Sequence, residues 1–169
     1  MRIYQVSLIL AAWALSSGAA LAAPEMPIST KDAKAFIEQL RDMGYSPDAL
    51  DKTSPPSTVI HSGGTGYGVI LGGCKELKEC SYVVIYGIYS DVKDPPIAWL
   101  AEMNKTYDLI KVWTNVDHKL TYSTGVVAEG MSRATFRATV DNLITSGNDL
   151  AGEVTKAKIP LTVTAPAKP

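Results

Sequence analysis

The chain has 169 residues, with 16 Lys and Arg against 17 Asp and Glu and a formal net charge of −1. That balance excludes the basic footprint of a protein built to hold nucleic acid or an anionic membrane. Its two histidines leave few ligands for a metal centre that needs three or four.

The first 22 residues carry a three-part pattern. Arg2 is a short basic start, Ile3 to Leu15 is mostly apolar, and Ser16-Ser17-Gly18 leads to Ala20-Leu21-Ala22. This is the layout of a secretory signal peptide, with cleavage expected near Ala22/Ala23. The competing reading is an uncleaved anchor. Removing residues 1–22 leaves 147, and since Arg2 is the only charge removed, 15 basic and 17 acidic residues remain, a net −2. That is enough chain for one domain. No later apolar run approaches the roughly 20 residues of a membrane span. The expected location is therefore the periplasm or the medium, with no membrane association once the signal is cut.

Residues 23–29 read as a Pro-punctuated leader. Ser29 or Thr30 is placed to cap a helix whose first turn holds Asp32. Ala33, Phe36, Ile37 and Leu40 recur at helical spacing, and Gly44 suits the stop. Ser46 to Pro56 reads as a loop. Thr58–His61 and Tyr67–Leu71 flank the turn Ser62–Gly66 and predict a hairpin. Ser81 to Ser90 is the strongest strand. Val83, Ile85 and Tyr89 share one face and Tyr82, Val84, Tyr86 and Ile88 the other. Both faces are apolar, so both should be covered, one by helices and the other by a second subunit or a bound segment. Pro95 or Pro96 opens a helix bearing Ile97, Leu100, Ala101 and Asn104 on one face. Leu109–Asn115 and His118–Val127 read as strands, and Ser132 as the N-cap of a last helix with Phe136, Val140, Leu143 and Ile144 on its inner face. Residues 153–169, rich in Lys, Ala, Thr and Pro, read as a disordered tail. Ile159, Leu161 and Val163 alternate within it, a pattern that suits a sheet edge but is weakened by Pro160 and Pro166. The order α-β-β-β-α-β-β-α predicts an α+β domain over 30–152, with about five antiparallel strands and helices packed on them.

Chemistry-bearing patterns are sparse. Cys74 and Cys80, six apart in an exported chain, predict a disulfide. They are not a C-x-x-C pair, and no other cysteine is available for a metal site. His61 and His118 read as structural strand-end and turn residues. There is no G-x-S-x-G elbow for a serine nucleophile. Gly63 to Gly68 lacks the lysine of a phosphate loop and leads into a strand. Asp91 and Asp94 are too few oxygens for calcium. No catalytic residue, cofactor or metal is assigned. The aromatic residues Tyr82, Tyr86, Tyr89, Trp99, Tyr107, Trp113 and Tyr122 fall on or beside the sheet. They read as core or, where a surface is apolar yet wet, as an interface.

Gly72 to Gly130 carries a further pattern. A Gly-Cys ends one strand, a second Cys precedes the two-faced strand, and a helix with Trp99 and Asn104 follows. A strand pair from Asp108 to Val127 and a Gly130-x-Ser132 entry into the last helix complete it. From about Thr30 to Asp149 this resembles the YbjN-domain family, bacterial proteins described as sensory transduction regulators. The family usually carries a Trp-Asn pair at the helix end, whereas here Lys105-Thr106 follows Asn104 and Trp99 lies a turn earlier. The resemblance implies a fold similar to class I type III secretion chaperones. It also implies a non-enzymatic binding or chaperone-like role, a protein or peptide partner, and often dimerisation. The candidate partner-binding or dimer surface is Tyr82, Tyr86, Tyr89, Trp99, Asn104 and Trp113. The alternatives are a secreted enzyme with an unrecognised site and a structural, envelope-associated protein tethered by its tail.

Overall fold

The computed structural model describes residues 26–161; the signal-peptide expectation over 1–22 lies outside them. The domain is α+β, with a six-stranded open antiparallel sheet and three helices. In chain order these are α1 (Ala33–Asp42), β1 (Ser46–Pro47), β2 (Ser57–Ser62), β3 (Thr65–Gly72), β4 (Tyr82–Lys93), α2 (Ile97–Thr106), β5 (Lys111–Thr114), β6 (Lys119–Val126) and α3 (Arg133–Lys156). The spatial order is β1-β2-β3-β4-β6-β5. The sixth strand, β1, lies in the stretch expected to be loop. Its two residues pair with the outer edge of β2, Ser46 with His61 and Pro47 with Ile60.

Local chemistry accounts for most boundaries. Gly63 and Gly64 join β2 to β3 with φ of 58° and 82°, the left-handed pair that a two-residue hairpin turn requires. Ser132 caps α3 as expected, its hydroxyl accepting from Thr135 N at 3.0 Å. At α1 the cap is Asp32, whose carboxylate accepts from Lys34 N and Ala35 N at 2.9 and 3.0 Å. These bonds hold its carboxyl below the usual range. Ser29 and Thr30, expected as caps, are engaged elsewhere.

One face of the sheet forms the core. Ile60, Tyr67, Val69, Leu71, Val83, Ile85, Leu120 and Tyr122 are buried there beneath Phe36, Ile37 and Leu40 of α1 and Phe136, Val140, Leu143 and Leu150 of α3. Phe36 and Phe136 meet edge to face, with centroids 5.9 Å apart. Gly147, in the middle of α3, is a packing requirement. A Cβ there would lie 2.4 Å from the Tyr122 hydroxyl oxygen. Tyr89 also donates its hydroxyl to Gly147 O, so two tyrosines from adjacent strands seat α3 at this glycine.

Both ends of the domain run past their expected limits. Ile28, assigned to the leader, is 1% exposed. Its N–H donates to Met131 O at 2.7 Å, and its carbonyl accepts from Gly130 N at 2.8 Å. Thr30 N donates to Glu129 Oε2 at 2.6 Å, and the Thr30 hydroxyl to Cys80 O at 2.6 Å. The expected tail from 153 begins as helix: α3 continues to Lys156, Val154 and Ile159 are buried, and Leu161 bridges Val92. Polar composition hid these contacts because one apolar residue in each turn suffices to close the core. Val163 and the rest of 162–169 lie outside the described residues.

Candidate functional site: the uncovered sheet face

Side chains alternate across a strand, so every residue opposite the core face points to the second face. On β4 these are Tyr82, Val84, Tyr86 and Ile88. The register adds Val59 and His61 from β2, Gly68 and Ile70 from β3, Thr121 and Ser123 from β6, and Lys111 and Trp113 from β5. Among the described residues no helix lies over the centre of this face. Tyr82, Ile88 and Trp113 are exposed, at 45, 45 and 38%.

The aromatic rings lie down on the sheet. Gly68 pairs with Tyr86 and Gly72 with Tyr82. A Cβ built on either glycine would stand 2.1 Å from the partner ring. The glycines therefore leave the room in which each ring crosses the neighbouring strand and turns its outer surface to solvent. From the other side Trp113 Nε1 donates to Ser123 Oγ at 3.2 Å, laying the indole toward β6. The result is a levelled apolar surface with a shallow hollow of about 250 Å³ between Ile70, Val84, Tyr86, Ile88 and Trp113.

The charges on this face are marginal. His61 stands at the β2 side, its Nε2 3.0 Å from Asp48 Oδ1, and Lys111 stands at the β5 side. No Asp or Glu occurs among the face residues of β2 to β6 named above.

The sheet edges contrast with the face. The outer backbone groups of β2 are taken up by 46–51. Beyond the two β1 pairs, Asp48 N donates to Val59 O at 2.8 Å, and Asp51 and Ser57 exchange bonds of 2.8 and 3.0 Å. At the other edge the Asn104 side chain clamps β5. Its Nδ2 donates to Val112 O at 2.7 Å, and its Oδ1 accepts from Val112 N at 2.9 Å. A short edge strand bearing proline and an edge satisfied by a side chain both refuse an incoming strand.

The six expected surface residues therefore separate. Tyr82, Tyr86 and Trp113 share the open face. Tyr89 is on the core side, its ring 5.4 Å from that of Tyr122, and burial pushes its hydroxyl up to about 12. Its parity sets it on the same face as Val83 and Ile85, and the packing of α1 and α3 makes that face the core side. Trp99 is half-buried on α2 against the core, and Asn104 is an edge clamp. Val59, Ile70, Val84, Ile88 and Ser123 belong to the face and were absent from the expected set; the same alternation identifies them.

Cys74 and Cys80 are joined, their sulfurs 2.16 Å and their Cα atoms 3.9 Å apart. The loop they close holds three non-glycine residues with positive φ, Glu76, Leu77 and Glu79, and its carbonyl and N–H groups receive the chain before α1. Leu77 O accepts from Ala33 N at 2.9 Å, and Cys80 N donates to Thr30 O at 3.1 Å. Opposite, Glu129 accepts from Thr30 N and from the Ser29 and Thr30 hydroxyls, and these bonds hold its carboxyl below the usual range.

His118 Nδ1 lies 2.7 Å from Asp94 Oδ1 in an exposed pair beside a hollow lined by Pro96, Ile97, Leu100 and Thr114. Among the described residues no three His, Cys, Asp or Glu side chains are grouped to hold a metal ion. No described helix is long and apolar enough to cross a membrane. No family model, curated protein or solved structure matches the chain.

Proposed function

We propose that this is an exported, non-enzymatic binding domain of the YbjN type, with a chaperone-like or regulatory role, which holds its partner on the open face of the sheet. The observation that carries the reading is the levelled apolar surface on β3, β4 and β5. Tyr82, Ile88 and Trp113 stand in solvent there beside the half-buried Tyr86, with glycines placed to seat the two tyrosine rings. A contiguous apolar patch of this kind is expensive to leave exposed and marks an interaction site. Tyr and Trp are enriched in such sites because a rigid ring contributes contact area at little entropic cost. The closed edges argue against strand addition as the binding mode. The bonded cysteine pair is the arrangement expected of a chain that reaches an oxidising compartment, in keeping with a periplasmic or secreted location.

The test is site-specific photo-crosslinking in cells from position 88 on the face and, as a control, from position 38 on the exposed side of α1. Crosslinked products are expected from position 88 alone. Equal products from both positions, or none from position 88, would refute the reading.

A further inference from the structure

The chain leaves the described domain at Leu161, beside the strand that carries the open face. We infer that Thr162 to Pro169 folds back over that face and lays Pro166 and Pro169 across the hollow between Val84, Tyr86, Ile88 and Trp113, so that any other ligand must displace it. The inference rests on the reading of this face as the binding surface and adds how access to it is regulated.

Three observations carry it. The first is direction. Leu161 bridges Val92 in the antiparallel sense, so the chain beyond it is aimed back along β4 toward Ile88. Ala165, four places on from Leu161, comes level with Ile88, four places back from Val92. The second is the room beside β4. β6 takes one edge of this strand. On the other, the β3 ladder runs from Gly72 opposite Tyr82 to Gly68 opposite Tyr86. A segment following that edge from Val92 therefore meets β3 near Tyr86 and must rise onto one side of the sheet. The core side is filled: Tyr89 bonds to Gly147 O, and Val92, Val154 and Ile159 are buried. The open face remains. The third is chemistry. Pro166-Ala167-Lys168-Pro169 is a P-x-x-P sequence. Such a segment favours polyproline II, in which residues three apart share one edge and each residue advances about 3.1 Å. Ala165 to Pro169 then covers about 12 Å, and Ile88 to Val84 covers about 13 Å at strand spacing. Aromatic-lined surfaces hold proline-rich segments because a preformed polyproline II chain loses little entropy on docking. Charge agrees with this. Lys168 is the one charge in 162–169, and the charges of the face stand at its margins. A short tether sets an effective concentration of about 1 mM. Against a contact of about millimolar strength, that covers the face about half the time and halves the apparent affinity of anything else that binds there.

The experiment places a photo-crosslinking residue at position 88 of the purified, oxidised, signal-cleaved protein at about 1 μM, roughly a thousandfold below the tethered concentration. Tryptic mapping should find the peptide 159–169 joined to the peptide that holds position 88, in a product of monomer mass. Pro166→Ala combined with Pro169→Ala should cut the yield of that product about threefold. Ending the chain at Leu161 should shift the NMR signals of Tyr86, Ile88 and the Trp113 indole and leave those of α1 in place. In cells, the same truncation should raise capture of other proteins from position 88 about twofold. Circular dichroism on every variant separates loss of docking from loss of fold. A position-88 product without 159–169 overturns the inference, and so does one found only at dimer mass. Face signals indifferent to the loss of 162–169 overturn it as well, as does equal capture in cells with and without the segment. If 159–169 is never joined while position 88 still captures another protein in cells, the self-covering fails and the binding reading stands. If 159–169 is joined but no other protein is captured with or without it, the self-covering stands and the binding reading falls.

Discussion

The two faces of β4 are equally apolar in sequence and differ in everything else. Inward, Val83 and Ile85 are fully buried under α1 and α3. There the glycines admit a neighbour's ring: Gly87 and Gly147 both make space for Tyr122. Outward, Tyr82 and Ile88 are 45% exposed, and the glycines receive rings that lie flat toward solvent. The inner face is finished within the chain and stores its stability. The outer face is prepared but unfilled among the described residues, so substitutions there should register in association and hardly in folding.

The largest effect should come from the inner face. Phe136→Ala removes a fully buried ring that meets Phe36 edge to face, and should cost about 3–5 kcal/mol in chemical denaturation. A loss under 1 kcal/mol would mean the core is not organised around this contact.

Next is the disulfide, which belongs to neither face. Replacing Cys74 and Cys80 together by Ser frees the loop that anchors the entry to α1. The chain-entropy model gives a loss of about 2–3 kcal/mol for so short a loop. Hydrogen exchange should show Thr30 to Ala33 opening first.

Asn104→Ala should cost about 1–3 kcal/mol, because it leaves the outward N–H and C=O of Val112 without their partner. It also opens the β5 edge, so slow, concentration-dependent association through strand pairing should appear, insensitive to Ile88→Lys. If the variant stays as soluble as wild type, the clamp is not a guard of the edge.

Alkaline titration reports on the inner face alone. Burial raises Tyr89, and also Tyr45 beside α1, from about 10 to about 12. Their neutral forms belong to the folded state. Their contribution is therefore complete below pH 10 and is lost as pH rises from 10 toward 12. Denaturation midpoints should be flat to pH 9.5 and fall above 10, and Tyr89→Phe should flatten part of that fall. The smallest effect on folding belongs to the outer face. Ile88→Lys should change stability by no more than about 0.5 kcal/mol, and a loss above 2 would show that this face is part of the folding core.

Much of this architecture is legible in the sequence. The 3.6-residue spacing of Ala33, Phe36, Ile37 and Leu40 and the cap at Ser132 determine two helices. Gly63-Gly64 between apolar runs determines the hairpin, and the period-2 alternation of Ser81–Ser90 divides its side chains into the two sets found on opposite faces. These are local rules, set by backbone sterics and side-chain geometry within a few residues. The pairing of the two cysteines suits their closeness in the chain, six residues apart.

The rest required the fold. Alternation says that β4 has two faces but not which one the helices take. That depends on the direction in which α1 and α3 return across the sheet, a long-range matter. The placement of β6 between β4 and β5, the seating of Tyr86 on Gly68 and Tyr82 on Gly72, and the approach of Gly147 to Tyr122 all join residues distant in sequence. Asn104 shows the limit most clearly. In sequence it is one polar residue at a helix end. Only the arrival of β5 alongside α2 turns it into the side chain that closes an edge, because a backbone hydrogen bond needs its partner in space and not in sequence.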